Sequence, residues 1–334
     1  HRKTVFSGIY QLLGGEKLVL DTGTLVSRTS RYWSLRPDQN ARNLTDDASA
    51  ERFRDLLTDS IRIRLRSDVE VGSCLSGGLD SSAIVCTARE LIGPDRPYHV
   101  FTGRFPGTTV DEWSFAEQVA AKTRATVHVS EPTPNGFLDV IDKFIWHNEL
   151  PVASTSQYAQ WCVFESAWEH GVTVLLDGQG ADEILGGYEQ YFAAYLASLR
   201  QSGEARLADE EQRLIVARYP NALPGRSARW KRALPNRLRT ALARISGRGS
   251  DPTFGLAFAP QALPTAHNHG LDDGLPLTRA LYEDSFIAHL PTLLRYGDRN
   301  SMAHSREVRL PFCDHRIAEF ALGLPPARLM GDAE

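Results

Sequence analysis

Two periods of apolar spacing run through the chain. Val69–Cys74, Tyr98–Thr102, Thr126–Val129 and Val172–Leu176 are short, β-prone apolar runs. Between them, apolar residues recur every three or four positions, which predicts helices. One helix spans Thr45–Arg66, with Phe53, Leu56, Leu57, Ile61 and Leu65 on one face. Others cover Ala83–Leu91, Glu112–Lys122, Gly136–His147 and Gln157–His170. Strands alternating with helices predict an α/β fold, a parallel sheet with helices on both faces. From Tyr188 onward the pattern reads as all-helical. Residues 1–37 differ: Val5–Leu13, Lys17–Leu20 and Thr24–Val26 look like strands separated by Gly14-Gly15 and Asp21-Thr22-Gly23 turns. Three short strands are too few for a stable domain, so they must pack on something else.

Composition narrows this picture only slightly. With 42% apolar and 23% charged residues among 334, the chain is an ordinary globular sequence. A net charge of −4 gives no reason to expect nucleic acid or an anionic membrane as partner. No apolar run reaches the ~18 residues of a membrane span, and no signal-peptide pattern opens the sequence. Cys74, Cys86, Cys162 and Cys313 are scattered, so the expectation is a cytoplasmic protein without disulfides or zinc. Arg226 to Arg248 form a basic stretch with Trp230 as its lone aromatic, read as solvated helical faces. Gly247–Pro264 is expected to be a linker or loop. His267 and His269 lack a third ligand nearby, so no metal site is expected there. Trp113, Trp146, Trp161 and Trp168 sit at helical spacing and are expected in the core.

The candidate chemistry lies at two strand ends. Leu75-Ser76-Gly77-Gly78-Leu79-Asp80-Ser81-Ser82 joins a strand to a helix through a Ser/Gly turn, which exposes backbone N–H groups to an anion. Asp80 would repel a bare phosphate; it makes sense if Mg²⁺ bridges carboxylate and phosphate oxygens. No Gly-x-x-x-x-Gly-Lys-[Ser/Thr] string occurs around it, so this is not a Walker P-loop. It resembles the pyrophosphate loop (PP-loop) of enzymes that cleave ATP between its α and β phosphates. The strand Val172–Leu176 likewise runs into Asp177-Gly178-Gln179-Gly180-Ala181-Asp182-Glu183-Ile184-Leu185-Gly186-Gly187-Tyr188. Asp182 could supply a second carboxylate to the same metal, or serve with Glu183 as a favourable acidic helix start.

Together the two strings resemble the synthetase domain of glutamine-dependent asparagine synthetases. So do Phe101-Thr102-Gly103-Arg104-Phe105 with Asp111-Glu112, Thr126-Val127-His128, and the run from Asp298-Arg299 through Glu307-Val308-Arg309 to Asp314. The resemblance covers residues 38–334. It implies an adenine nucleotide α-hydrolase-like (PP-loop) fold with a helical C-terminal part. Phe6–Ile9, Gly15-Glu16 and Arg31–Trp33 resemble the last strands of the family's glutaminase domain, so residues 1–37 are expected to be a short β remnant of it. No cysteine precedes Cys74, so glutamine hydrolysis is assigned to no residue of this sequence.

The resemblance further implies that a carboxylate attacks the α-phosphorus of ATP, giving an acyl-adenylate and pyrophosphate, and that an amine then attacks the acyl carbon. Leu75, Ser76, Gly77, Gly78, Asp80, Ser81, Ser82, Gly103 and Gly178 are the expected ATP-binding residues, and Asp80 and Asp182 the Mg²⁺ ligands. Arg299 is a candidate for the leaving pyrophosphate. Glu307 and Arg309 either order the pocket or form a buried structural pair. Ser154, Thr155 and Ser156 are suitably placed for an acceptor carboxylate, or one of them for a helix cap. Gln179 stands where many asparagine synthetases have a glutamate and β-lactam-forming relatives a tyrosine. A glutamine can orient a substrate but cannot act as a base. The family's lysine that stabilises acyl transfer lies beyond Glu334. The expected reaction is asparagine synthesis from aspartate with ammonia or glutamine nitrogen, by a homodimer. The alternatives are macrolactam closure of a lasso peptide, β-lactam formation, and a non-catalytic nucleotide-binding partner.

Overall fold

The computed structural model describes residues 2, 4, 6–152, 154–223 and 274–333. It divides into two compact units: His1–Gly186 with Leu281–Pro325, and Gly187–Ala280 with Pro326–Glu334. The basic stretch, the Gly247–Pro264 segment, His267 and His269 lie outside the described residues.

The first unit is built on a parallel sheet. Its strands are β3 (Val71–Cys74), β4 (His99–Gly103), β5 (Thr126–Ser130), β6 (Val174–Leu176) and β7 (Glu307–Arg309), in the order β5-β4-β3-β6-β7. The helices between them are α1 (Asp46–Arg64), α2 (Leu79–Ile92), α3 (Trp113–Thr123), α4 (Pro134–Asn148) and α5 (Ser156–Glu169). Local sequence explains their starts: the Thr45 side chain accepts from Ala48 N–H to cap α1, and Thr133 does so from Gly136 ahead of Pro134 in α4. Leu56, Leu57 and Ile61 are the buried stripe of α1. Phe101, Phe164, Ala167, Val172 and Leu175 form the core between β4, α5 and β6.

After β6 come α6 (Ala181–Leu185), α7 (Phe192–Gln201), α8 (Ala205–Arg218), α9 (Pro276–Phe286) and α10 (His289–Ala303). Then follow β7, α11 (His315–Ala321) and α12 (Pro326–Leu329). In the second unit, α7 packs on α8 and α12, burying Tyr195, Leu199, Ala208 and Ile215.

The strand order matters more than the strand count. The chain steps outward from β3 to β4 to β5, then returns so that β6 pairs with the other side of β3. Right-handed crossovers therefore place α2 and α3 on one face, and α4 and α5 on the other. Accordingly α2 packs on α1 and α3, while α4 and α5 pack on α10. The carboxyl ends of β3 and β6 flank the point where the order reverses, the usual ligand position in such sheets.

Four expectations need correction. The chain beyond Tyr188 is not all-helical, because Glu307–Arg309 pairs with β6 as the fifth strand. Three residues between helical segments are too short to show a period. In the first 37 residues the regular pairing is one antiparallel hairpin, β1 (Glu16–Leu20) with β2 (Ser27–Arg31). Thr24–Val26 lies in its connection, and among the described residues of 6–13 the pairing is a single bridge at Tyr10. α2 begins at Leu79 rather than Ala83, which puts Asp80, Ser81 and Ser82 in its first turn. Of the four tryptophans, Trp161 is core, while Trp146 and Trp168 are exposed. Helical spacing alone does not say which face looks inward.

No helix among the described residues is long and apolar enough to cross a membrane. The four cysteines are free.

Candidate functional site

The β3–α2 turn is shaped by its own hydroxyls. Ser81 and Ser82 Oγ donate to the Gly78 carbonyl at 3.1 and 2.7 Å. Ser76 Oγ bonds Ser81 Oγ at 3.0 Å and accepts from Gly78 N–H. Gly77 has φ +100°, and a Cβ there would meet the Glu112 carbonyl oxygen at 2.6 Å. Only glycine combines that dihedral with that approach. The expected phosphate-binding serines thus serve first to bend the backbone. The turn leads into the start of α2, whose first N–H groups have no acceptor within their own helix.

The β6 turn meets it directly. A Cβ on Gly178 would stand 3.3 Å from Ser81 N and 3.4 Å from Asp80 Cβ. Gly180, at φ +99°, sits against Cys313 Sγ, which donates to the Gln179 carbonyl. Gln179 is therefore oriented through its own backbone. Asp182 and Glu183 occupy the first turn of α6. Glu183 is 1% exposed, with His289 Nδ1 at 3.2 Å from its carboxylate. Burial, followed by the nearby Asp182 and then Glu183 charges, pushes the Asp80 carboxyl up to about 6. Asp80, Asp182 and Glu183 thus lie within electrostatic reach of one another.

Gly103 ends β4, and the Leu75 N–H bonds Phe101 O at 2.8 Å, so the ends of β3 and β4 are in register. Beyond Gly103, Arg104 donates to Asp111 at 3.1 Å and stacks over Trp113. Asp177, at the end of β6, accepts from Gly178 N–H at 2.7 Å. Partial burial raises its pKa, opposed by that bond.

The remaining expected residues are placed differently. Arg299 pairs with Glu149 at 2.8 Å, both side chains largely exposed. Glu307 and Arg309 do pair, at 2.6 Å, but Glu307 is 57% exposed, so the expected buried pair is not there. Arg309 also donates to the Arg64 and Arg66 carbonyls, closing the C-terminal end of α1. Ser154 Oγ accepts from Ser156 N–H and bonds Ser156 Oγ, whereas Thr155, at the cap position of α5, makes no capping bond. Sequence reasoning missed Glu183 as a site residue: it stands inside the quoted string, and only its burial singles it out.

A parallel sheet with two glycine-rich, carboxylate-bearing turns in contact at its reversal point has the architecture of a nucleotide-binding α/β fold. The chain belongs to the asparagine synthase family, whose model matches residues 52–334. It is 26% identical to the amidase chry2 of Gibberella zeae, over 98% of this chain and 54% of that protein. It is 25% identical to the amidase chyE of Penicillium rubens, over 97% and 53%. With the glutamine-hydrolysing asparagine synthetase 1 of Bacillus subtilis it shares 25% identity over 93% and 49%. The chain thus spans about half the length of these relatives.

Proposed function

We propose that this chain carries the ATP-dependent, amide-forming half of an asparagine synthetase-type ligase. A carboxylate substrate, aspartate in the first instance, attacks the α-phosphorus of ATP. Pyrophosphate leaves, and ammonia then displaces AMP from the acyl-adenylate. The carrying observation is the contact between the two strand-end turns, with the Asp182 charge within electrostatic reach of Asp80. The α2 N-terminus receives the phosphates, Leu75, Gly103 and Gly178 line the nucleotide, and Gln179 orients the acceptor. Arg299, released from Glu149, meets the pyrophosphate.

Two oxygen-bearing carboxylates against a phosphate site are a fitting donor set for Mg²⁺, which takes few protein ligands. Burial first, and then the Asp182 charge, raise the Asp80 pKa, and a divalent cation would offset both. Asp80 and Asp182 would hold the ion, whose charge would offset that of the departing pyrophosphate.

The hairpin β1–β2 exposes Leu18, Val19, Leu25 and Val26. Such an apolar surface, in a chain matching half of its relatives, supports residues 1–37 as the edge of a glutaminase domain that would supply the ammonia.

The test is aspartate-dependent exchange of labelled pyrophosphate into ATP by the full-length protein with glutamine or ammonium. No exchange sinks the aspartate assignment. A second carboxylate, in a lasso-type or β-lactam-type ring closure, is favoured by Gln179 and by the two relatives named amidases. Exchange with other carboxylates but not aspartate would select it.

A further inference from the structure

Gly77 is the residue of the β3–α2 turn least able to hold its own shape, because glycine takes positive and negative φ about equally readily. The serine hydroxyls fasten the turn at Gly78, one residue further on. What lies against Gly77 is the start of α3. A Cβ on Gly77 would meet Glu112 O at 2.6 Å, Glu112 Cβ at 3.1 Å and Ala116 N at 3.2 Å. Glu112 O also accepts from the Phe115 and Ala116 N–H groups, so it moves only with the helix.

The loop from β4 decides where that helix starts. β4 stays in step with β5 for one residue beyond Gly103, since Arg104 N–H donates to Ser130 O at 2.8 Å. The chain then leaves the sheet and returns at Asp111. Asp111 Oδ2 accepts from Arg104 Nη2 at 3.1 Å, and Asp111 Oδ1 from Phe105 N–H at 3.4 Å. The Arg104 guanidinium lies over the Trp113 ring, 4.9 Å from its centroid. Within the loop, Thr108 N–H and Oγ1 both donate to Phe105 O, at 3.1 and 2.8 Å. One side chain at the sheet edge thus grips residues 111 and 113, and residue 112 between them is the one that meets Gly77. The grip is not made for the arginine's own hydrogen bonding. Arg104 Nε is buried and meets no acceptor among the described residues, which is unfavourable in itself.

We propose that Arg104 is a positioning residue for the β3–α2 turn: by clamping Asp111 and Trp113 it fixes the start of α3, so that the Glu112 carbonyl seats Gly77 in its left-handed conformation. The contact has little slack, and displacements of about half an ångström are enough to impair such a site. The kinetic consequence rests on the nucleotide reading proposed above; the structural one does not.

The test uses the full-length protein with Arg104→Ala, Asp111→Asn and the double variant. Arg104→Ala is expected to speed amide hydrogen exchange in peptides spanning 75–82 about tenfold, leaving α1 and α4 unchanged. KM for ATP in the pyrophosphate-exchange assay should rise by about the same factor, with kcat within about threefold of the parent. A protein that is merely destabilised would instead lose active molecules, lowering kcat at an unchanged KM. Asp111→Asn keeps the loop's shape and loses the charge, so it should show the same pattern at about threefold. Because both act through one clamp, the double variant should match Arg104→Ala rather than multiply the two effects. Should Arg104→Ala fail to fold, Asp111→Asn decides the matter by the same two readouts. Unchanged hydrogen exchange at the turn, a fall in kcat alone, or multiplying effects overturns the proposal. A parent inert towards ATP whose variants still show the faster turn exchange supports the clamp and sinks the nucleotide reading alone.

Discussion

Gly178 lies against Asp80 so closely that a Cβ on the glycine would stand 3.4 Å from the aspartate's own Cβ. The ends of β3 and β6 are thus one site made of two turns. Gly178→Ala forces them apart by a few tenths of an ångström. The expected result is about a tenfold loss of ATP–pyrophosphate exchange with little change in melting temperature. Parent-like exchange would separate the turn contact from the chemistry.

Asp80→Asn should remove function while stabilising the ligand-free protein. Burial and the Asp182 and Glu183 charges raise its carboxyl to about 6, above the 3.8 of a free one. The parent's favourable protonated form is thus fully present below pH 4 and is lost as pH rises through 6. After screening, the cost at pH 7 is about 1 kcal/mol. The variant should be more stable by that amount at pH 7, with no advantage at pH 4, while exchange falls about a hundredfold. Urea unfolding at both pH values, beside the exchange assay, checks the two signs together.

The pH response of the sheet edge has the opposite sign. His128 on β5 stacks with His99 and His170, and burial, then His170, then His99 lower its pKa to about 4. Its stabilising contribution is complete above pH 6.5 and disappears as pH falls towards 4. Solvent around the ring limits the effect to about 1 kcal/mol. His128→Asn should therefore lose less stability than the parent between pH 7 and pH 4.5 in denaturant titrations. Equal losses would remove His128 from the acid response.

Glu307 and Arg309 separate by where their partners lie. Glu307→Gln breaks an exposed pair and should cost no more than about 0.5 kcal/mol, so any large loss of exchange would mark a role in the pocket. Arg309→Ala deprives the last α1 carbonyl, Arg64 O, and the Arg66 carbonyl just beyond it of a charged donor and should cost about 2 kcal/mol. Thermal unfolding of both variants, with exchange measured on each, distinguishes the roles.

Much of this was legible in the chain because β3 and β6 are apolar runs punctuated by glycine, and strands ended that way announce both fold and site. β7 was hidden because three residues carry no period. The exposure of Trp146 and Trp168 was hidden because a helix wheel has two sides and the sequence does not label them. Arg299 and Glu307 were proposed for the pocket from family resemblance. Their ion pairs, with Glu149 and Arg309, depend on contacts across the fold that spacing does not encode. The Asn148–Asn300 and Asn300–Gln160 contacts were hidden for the same reason: they join three distant stretches, each unremarkable by itself.

The late position of β7 has a consequence for how the molecule comes into being. During synthesis β3 to β6 emerge well before Glu307–Arg309, so until then β6 presents a bare hydrogen-bonding edge beside the two glycine-rich turns. Arg309 O, which accepts the Asp177 N–H at 3.0 Å, arrives with that last strand. The turn proposed to hold ATP is therefore completed only when the chain's distal end returns to the sheet. A nascent chain halted before residue 307 should be both inactive and prone to pair its open edge with another copy.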